Sequence, residues 1–486
     1  MLFIQPEDRK KISLYFCLED QISPTNIVRV IDIFIDKIVG DNPDEFIRYK
    51  ESDFGAPAYM TSTLLKLYVF GCLNSITTSR KLENETKRNL ELKWLLGDLQ
   101  PDHWVIAQFR TKNEDMIEKM KTKFNSFLRS HEYMDFKKVA IDGSKIKANA
   151  KKDMLTLEGL KKMMASSSKK LEEYLQKLAL NDKTEDILDE YETSVEEGTL
   201  NRHLLDKITK LEEQLEEMNK YKEKMESQGL ERICPTDEDA KLMKSRYGKV
   251  PAYNVQTVVD SKHHMIADFE LTTEENDVKQ LKPMLESLIE EYGEKPGEAL
   301  ADTGYYRPDD IEELENQGIE IYVGVPKDAK ENETGVSFEY DSEKDVYHCS
   351  EGKELKLITK NKKRRDSFAD IYQSTDCENC PMREKCTSSK EGRTIQRYTN
   401  QESRDSFKQK MRTKLGKSKM KLRKSIVEHP FGTIKTWMGK TQFLLRGKEK
   451  VKTEMSLWVT AYNFRRLFNI EDFDALMGKI ATYKWA

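Results

Sequence analysis

No run of apolar residues in this chain approaches the ~18 that a membrane-spanning helix needs, so a membrane partner is not expected. The opening stretch, MLFIQPEDRKKISLYF, has no long apolar segment of the secretory kind, and a cytoplasmic location is expected. Cysteine is scarce, at 7 in 486 residues. In a chain expected to stay in a reducing compartment, these read as free thiols or metal ligands and not as a disulfide framework. Nor is there a strong excess of either charge. The formal net charge is −4 and the isoelectric point about 6.1, which taken alone argues against a nucleic-acid partner.

Charge is nevertheless abundant. Asp, Glu, Lys and Arg make up 35% of the chain, against about 25% in an average globular protein, which implies long solvated helices beside packed cores. The near-neutral total hides an asymmetry. Between Arg404 and Lys452, sixteen Lys or Arg face only Asp405, Glu428 and Glu449, a local excess of thirteen positive charges. A block like this releases counterions when it binds a phosphate backbone. A solvated or disordered stretch is the plainer reading of a Lys-rich segment. Here Leu415, Leu422, Ile426, Val427 and Phe431 are interleaved, so part of it must pack.

The length suggests two to four domains at ~100–200 residues each. Residues 1–135 read as helical: Ile27, Val28, Val30, Ile31, Phe34 and Ile38 recur at helical spacing. Several short helices with polar turns suit a DNA-reading domain of the helix-turn-helix kind, and equally a bundle that only packs. Residues 136–154 bring a short strand, Val139-Ala140-Ile141, ending on Asp142. Residues 155–235 read as a coiled-coil insertion. Leu204, Ile208, Leu211, Leu215 and Met218 are spaced 4, 3, 4, 3, with a polar bend expected at 181–200. Residues 236–325 return to strands. AYNVQTVVD and HMIADFELT form an expected hairpin, Ala299-Leu300-Ala301 ends on Asp302, and a helix starts at Pro308. Residues 326–400 are polar and turn-rich with four cysteines; 401–470 carry the basic helix with Glu428 and a closing helix; 471–486 read as a tail. The sum is an α/β core broken by two insertions and preceded by helices.

Asp142, Asp302 and Glu428 are the candidate catalytic carboxylates. Each alone is weak evidence, because among 86 Asp and Glu an Asp at a strand end is usually a cap or turn residue. Together they suit phosphodiester chemistry. That reaction is very slow uncatalysed, and a pair of divalent cations accelerates it by activating the attacking oxygen and stabilising the leaving one. Mg²⁺ takes hard oxygen ligands from few carboxylates and leaves room for water and phosphate.

The words around the acids are more specific. AIDGSK (140–145), ALADTGYY (299–306) and IVEHPFGTIK (426–435) resemble the three blocks of the DDE transposases, in this order. The third block is similar to their signature of Glu followed by Phe at +3 and Lys at +7, here Glu428, Phe431 and Lys435. More narrowly, the chain resembles the 1182-type insertion-sequence transposases through its N-terminal helical segment, the phrase YNVQTVVD and the close around AYNFRRLF, over roughly residues 20–470. The resemblance implies a ribonuclease-H-like mixed-sheet catalytic core, Mg²⁺ or Mn²⁺ bound by the three acids, and cleavage and joining of double-stranded DNA at transposon ends. The slots that hold Tyr and Arg upstream of the signature Glu are Lys421 and Lys424 here, with Arg423 adjacent. Lys424, Lys435 and Arg423 are therefore the expected phosphate contacts, although Lys offers a point charge where Arg offers a fork. Pro430, lacking a backbone donor, is expected to kink or restart the helix.

Cys377, Cys380 and Cys386 form C-x2-C-x5-C, with Cys349 upstream as a fourth ligand. Four thiolates fit tetrahedral Zn²⁺ or an iron–sulfur cluster, and reduced unliganded cysteines are the plain alternative. Tyr305, Tyr306, Trp437 and Trp458 are candidates for stacking on bases, with Trp458 assigned to the core. A homodimer is expected, because a transposon has two ends and the coiled coil offers a pairing surface. The location expected is cytoplasmic and nucleoid-associated. Two rival functions stand beside transposition: a hydrolysis-only nuclease of the same fold, and a catalytically inactive DNA-binding derivative.

Overall fold

A computed structural model describes residues 17–47, 58–188, 195–245, 248–326, 336–364 and 367–485, with no account of the side chains of 181–201. It is a mixed α/β structure with a helical N-terminal region. Among the described residues, a four-residue helix at Pro43–Phe46 and six longer ones come first: α1 (Ile27–Asp41), α2 (Thr61–Leu73), α3 (Ser79–Arg88), α4 (Leu90–Leu96), α5 (His103–Lys112) and α6 (Glu114–Ser130). Local chemistry sets their starts. Asn26 caps α1 by accepting from Val28 N–H, Thr78 caps α3 and Asp102 caps α5, each satisfying donors that the first helical turn leaves free.

The chain then enters a six-stranded sheet built from β1 (Lys138–Lys147), β2 (Lys241–Ser245), β3 (Gly248–Asp260), β4 (Ile266–Thr272), β5 (Glu298–Ala301) and β6 (Glu320–Val323). β3 is antiparallel to β1, β2 and β4, whereas β1, β5 and β6 run parallel to one another. Helices α9 (Leu281–Tyr292) and α10 (Pro308–Asn316) sit between the later strands, and Pro308 opens α10 as expected. The strand of Asp142 is longer than its apolar run suggests. β1 continues five residues beyond Asp142 because its far half pairs with β3, whose inward residues supply the apolar contacts.

Helices α7 (Leu157–Leu188) and α8 (Val195–Gln228) pack against each other as the expected helical hairpin. The bend expected at 181–200 is narrower than that: 181–188 and 195–200 are helical, and 189–194 lie outside the described residues. At the root, Leu155–Thr156 pairs antiparallel with Arg232–Ile233 over a small apolar knot of Leu160, Tyr221, Met225 and Ile233. The segment expected to be turn-rich is instead a five-stranded antiparallel sheet: β7 (Phe338–Asp341), β8 (Val346–Cys349), β9 (Glu354–Arg364), β10 (Ser367–Gln373) and β11 (Thr394–Tyr398). Two register shifts between Leu357 and Lys362 break the period-two pattern, and only Tyr347, Leu355 and Tyr372 form its buried cluster.

The last helices are α11 (Gln401–Arg412), α12 (Lys414–Gly432), α13 (Lys448–Ile470) and α14 (Phe473–Thr482). α12 does not break at Pro430. It runs through to Gly432 and widens at once into a π turn, Thr433–Trp437. The π turn lies C-terminal to the ring, so it follows Pro430 without involving the carbonyl of Ile426 that the ring faces. Residues 471–486 are more than a tail: α14 folds back and Trp485 is buried. One hydrophobic core runs from α1 through the six-stranded sheet to Trp485. At its centre Phe34, Phe124 and Phe464 meet with ring centroids 4.2–5.0 Å apart, and Trp485 lies 5.0 Å from Phe34. The N-terminal helices are thus packed into the core of the sheet.

A buried ion pair fixes the segment after the π turn. Lys440 and Glu454 are 1% and 2% exposed at the side chain and pair directly. The Glu454 carboxylate also accepts the N–H groups of Leu444 and Leu445. Removing one partner strands a buried charge, so Glu454→Ala is expected to destabilise the protein by about 3–5 kcal/mol, read as a lower denaturant midpoint.

Candidate active site

β1 and β5 are parallel and paired with Ala140 opposite Leu300. Two residues further on lie Asp142 and Asp302, so the two acids leave neighbouring strands at the same level. Asp302 ends β5 and caps the turn that follows, accepting from Gly304 N–H at 2.7 Å. Arg423 of α12 reaches Asp142 at 3.5 Å. Burial pushes the Asp142 carboxyl up to about 6; Arg423 pulls against this, while Asp302 and Asp277 push further. Two expected site residues are therefore brought together, and Arg423, expected on phosphate, faces one of them.

Glu428 lies on α12 between two anchors. Arg423 ties the helix to Asp142, and Lys435 donates to Ser144 Oγ and the Lys145 carbonyl on β1. Glu428 itself is exposed and has no hydrogen bond or ion pair among the described residues. Lys424 is also exposed. Among the described residues, no three His, Cys, Asp or Glu side chains are arranged to hold a metal ion as they stand. Of the aromatic candidates, Tyr305 and Trp458 are core residues. Tyr306 packs on Phe407, its ring 6.2 Å away, and Trp437 is 59% exposed with Arg465 over its face.

Sequence reasoning missed Asp277. Its Oδ1 accepts from Asn254 Nδ2 and Gln256 Nε2, both at 2.7 Å. The Gln256 carbonyl in turn accepts the Tyr305 hydroxyl. The ALADTGYY and YNVQTVVD segments are thus joined through one amide. The signal was present in YNVQTVVD: Asn254 and Gln256 are two residues apart, share one face of a buried strand, and need partners there. Gly143 permits this closeness. A Cβ at that position would lie 2.4 Å from Gln256 Nε2 and 2.7 Å from Asp277 Oδ1.

Alongside, a groove of about 870 Å³ is lined by Gly143, Lys145, Lys147, Lys152, Asp277 and Lys435. The four cysteines sit elsewhere, around one small cavity of the second sheet.

The electrostatics of Asp142 yield a test. The folded protein holds this proton more tightly than the unfolded chain does. Ionisation therefore costs stability as pH rises from about 4 through 6, and the full cost stands at neutral pH. Asp142→Asn is expected to raise the melting temperature at pH 7.5, by a gain equivalent to about 1–3 kcal/mol that fades below pH 4. Equal gains at pH 4 and 7.5 would contradict the assignment.

Comparison with known proteins gives two family matches. A family described as a transposase DDE domain matches residues 348–468, the span that holds Glu428 but neither Asp142 nor Asp302. A second, described as a transposase domain (DUF772), matches residues 16–112, the helical N-terminal region. No curated protein matches. One solved structure aligns over 94% of this chain and 79% of its own, the cryo-EM structure of a piggyBac transposase synaptic complex with hairpin DNA. At 8% identity and a TM-score of 0.36 it carries no argument about fold or function. The two family matches flank the sheet and agree with each other: over these two spans the chain is similar to transposase domains.

Proposed function

We propose that the protein is a DNA transposase that cleaves transposon ends and joins them to target DNA, with the six-stranded sheet as a ribonuclease-H-like catalytic core. The observation that carries this reading is the matched level of Asp142 and Asp302 on two parallel strands, beside a groove lined with lysines. The narrower likeness to the 1182-type transposases, over roughly residues 20–470, supports the same activity.

The donor chemistry fits Mg²⁺ or Mn²⁺. Asp142 and Asp302 offer hard carboxylate oxygens, and the upward push on Asp142 comes first from burial and then from Asp302 and Asp277, a cost of charge that a divalent cation would relieve. Asp142 and Asp302 would hold the metal with Glu428 as third ligand, and bound cations would supply charge stabilisation to the phosphodiester undergoing displacement. The chain's own groups do the positioning. Asn254 and Gln256 hold Asp277 beside Gly143. Lys145, Lys147, Lys152 and Lys435 would take the phosphate backbone in the groove, with Lys424 and Arg423 contributing from α12. Double-stranded DNA is the partner in this reading, and a homodimer would serve the two transposon ends. No described helix is long and apolar enough to cross a membrane.

Incubation of the protein with end-bearing DNA, target DNA and Mg²⁺ tests the proposal. Cleavage and strand-transfer products are expected, and Asp142→Ala, Asp302→Ala or Glu428→Ala should lower cleavage by at least about 100-fold with DNA affinity retained. Unchanged cleavage in Asp142→Ala would refute the catalytic assignment. Products of hydrolysis without joining would select a hydrolysis-only nuclease, and DNA binding without cleavage would select the inactive derivative. Lys147→Ala and Lys435→Ala should each reduce the salt dependence of binding by about one ion.

A further inference from the structure

The second sheet has a small apolar cluster of Tyr347, Leu355 and Tyr372, with Phe338, Tyr340, Leu357 and Ile395 packed against it, and no residue of 374–393 belongs to it. The connection from β10 to β11, residues 374–393, contains one short helical turn, Arg383–Cys386. It nevertheless folds back tightly. Gly392 has φ +94°, and a Cβ there would lie 1.9 Å from the Ser374 carbonyl oxygen. A segment this polar needs something other than a core to stay closed.

Four cysteines meet at this crossing. Cys349 arrives at the end of β8, and its Sγ accepts the Lys353 N–H at 3.3 Å. Cys377 and Cys380 come from one turn, in which the Cys380 N–H donates to the Cys377 carbonyl. Cys386 ends the helical turn. All four line a single cavity of about 20 Å³, room for one water-sized guest. Two polar atoms at this cavity have no partner: Ser374 Oγ, on a residue 1% exposed, and Arg393 Nε. The space is thus unfilled by protein groups, ringed by sulfur, and too small for a multi-iron cluster.

We propose that Cys349, Cys377, Cys380 and Cys386 form a structural zinc site that fastens the connection 374–393 onto the second sheet. As placed, no three of them already make a ligand set. Cys349 is fixed in β8, so closure requires only the connection to tighten around the ion. Four Zn–S bonds form as four thiol protons leave to solvent, which makes affinity rise with pH. The site stands apart from Asp142 and Asp302 and does not depend on the reading of their chemistry.

The full-length protein, purified under reducing conditions, should contain about one zinc per chain by elemental analysis. After metal removal, Co²⁺ titration should give the thiolate charge-transfer and tetrahedral absorption bands, and Zn²⁺ should displace the cobalt. Cys377→Ser and Cys386→Ser should each weaken Co²⁺ binding at least about tenfold, while Cys17→Ser leaves it unchanged. If the ligand variants fail to fold, the Co²⁺ titration of the unaltered chain decides alone. Absence of thiolate bands in that titration overturns the proposal, as does iron with acid-labile sulfide in place of zinc.

Discussion

The parallel pairing of β1 with β5 is the constraint on which the site rests. Parallel neighbours end on the same side, so residues equally far past a paired position come out together. Here the pair is Ala140 and Leu300, and the residues that emerge are Asp142 and Asp302. The two strands are short where they touch, and the remainder of the fold maintains that contact. β3 holds the other edge of β1 over nine paired positions, and β6 holds the other edge of β5. α12 lies across these strands, and its basic side chains fall near the acids because the helix is anchored at Asp142 and again at Ser144.

The electrostatic state of the site follows from that arrangement. Burial raises the cost of charge on Asp142, and the neighbouring carboxylates of Asp302 and Asp277 add to it. A single guanidinium at 3.5 Å offsets part of it. Neutral donors hold Asp277, so its orientation is fixed without compensating its charge. The site keeps an uncancelled negative character next to a groove whose other walls are cationic, a distribution that separates a place for cations from a place for phosphates.

Much of this frame was legible in the sequence, and for identifiable reasons. Asp302 after a three-residue apolar run, the hairpin through residues 261–263, the Pro308 helix start and the 4-3 spacing of Leu204 to Met218 are local signals, each set by one element. What escaped was long-range or two-sided. The second sheet is solvated on much of its surface and bulged at Leu357–Lys362, so it leaves no clean alternation. Trp485 looked like part of a tail because the rings that cover it, Phe34 and Phe127, come from the other end of the chain. Pro430 reads as a helix breaker, yet the helix continues through it to Gly432, and no local rule foresaw the π turn that follows. Asp277 sits in a loop, and only the pairing of β3 shows that two buried amides converge on it. Glu428 marks the remaining distance between sequence and geometry: its motif is clear, yet its side chain points to solvent.

The clasp between Leu155–Thr156 and Arg232–Ile233 has a consequence for the chain's history and for engineering. It brings the two ends of the α7–α8 arm within one strand pairing of each other. An appendage rooted in this way can change length by whole helical turns without altering the path from β1 to β2. One turn added to each helix carries the tip about 5.4 Å further out. The reach of the arm, and hence whatever its tip meets, is adjustable independently of the spacing between the acids.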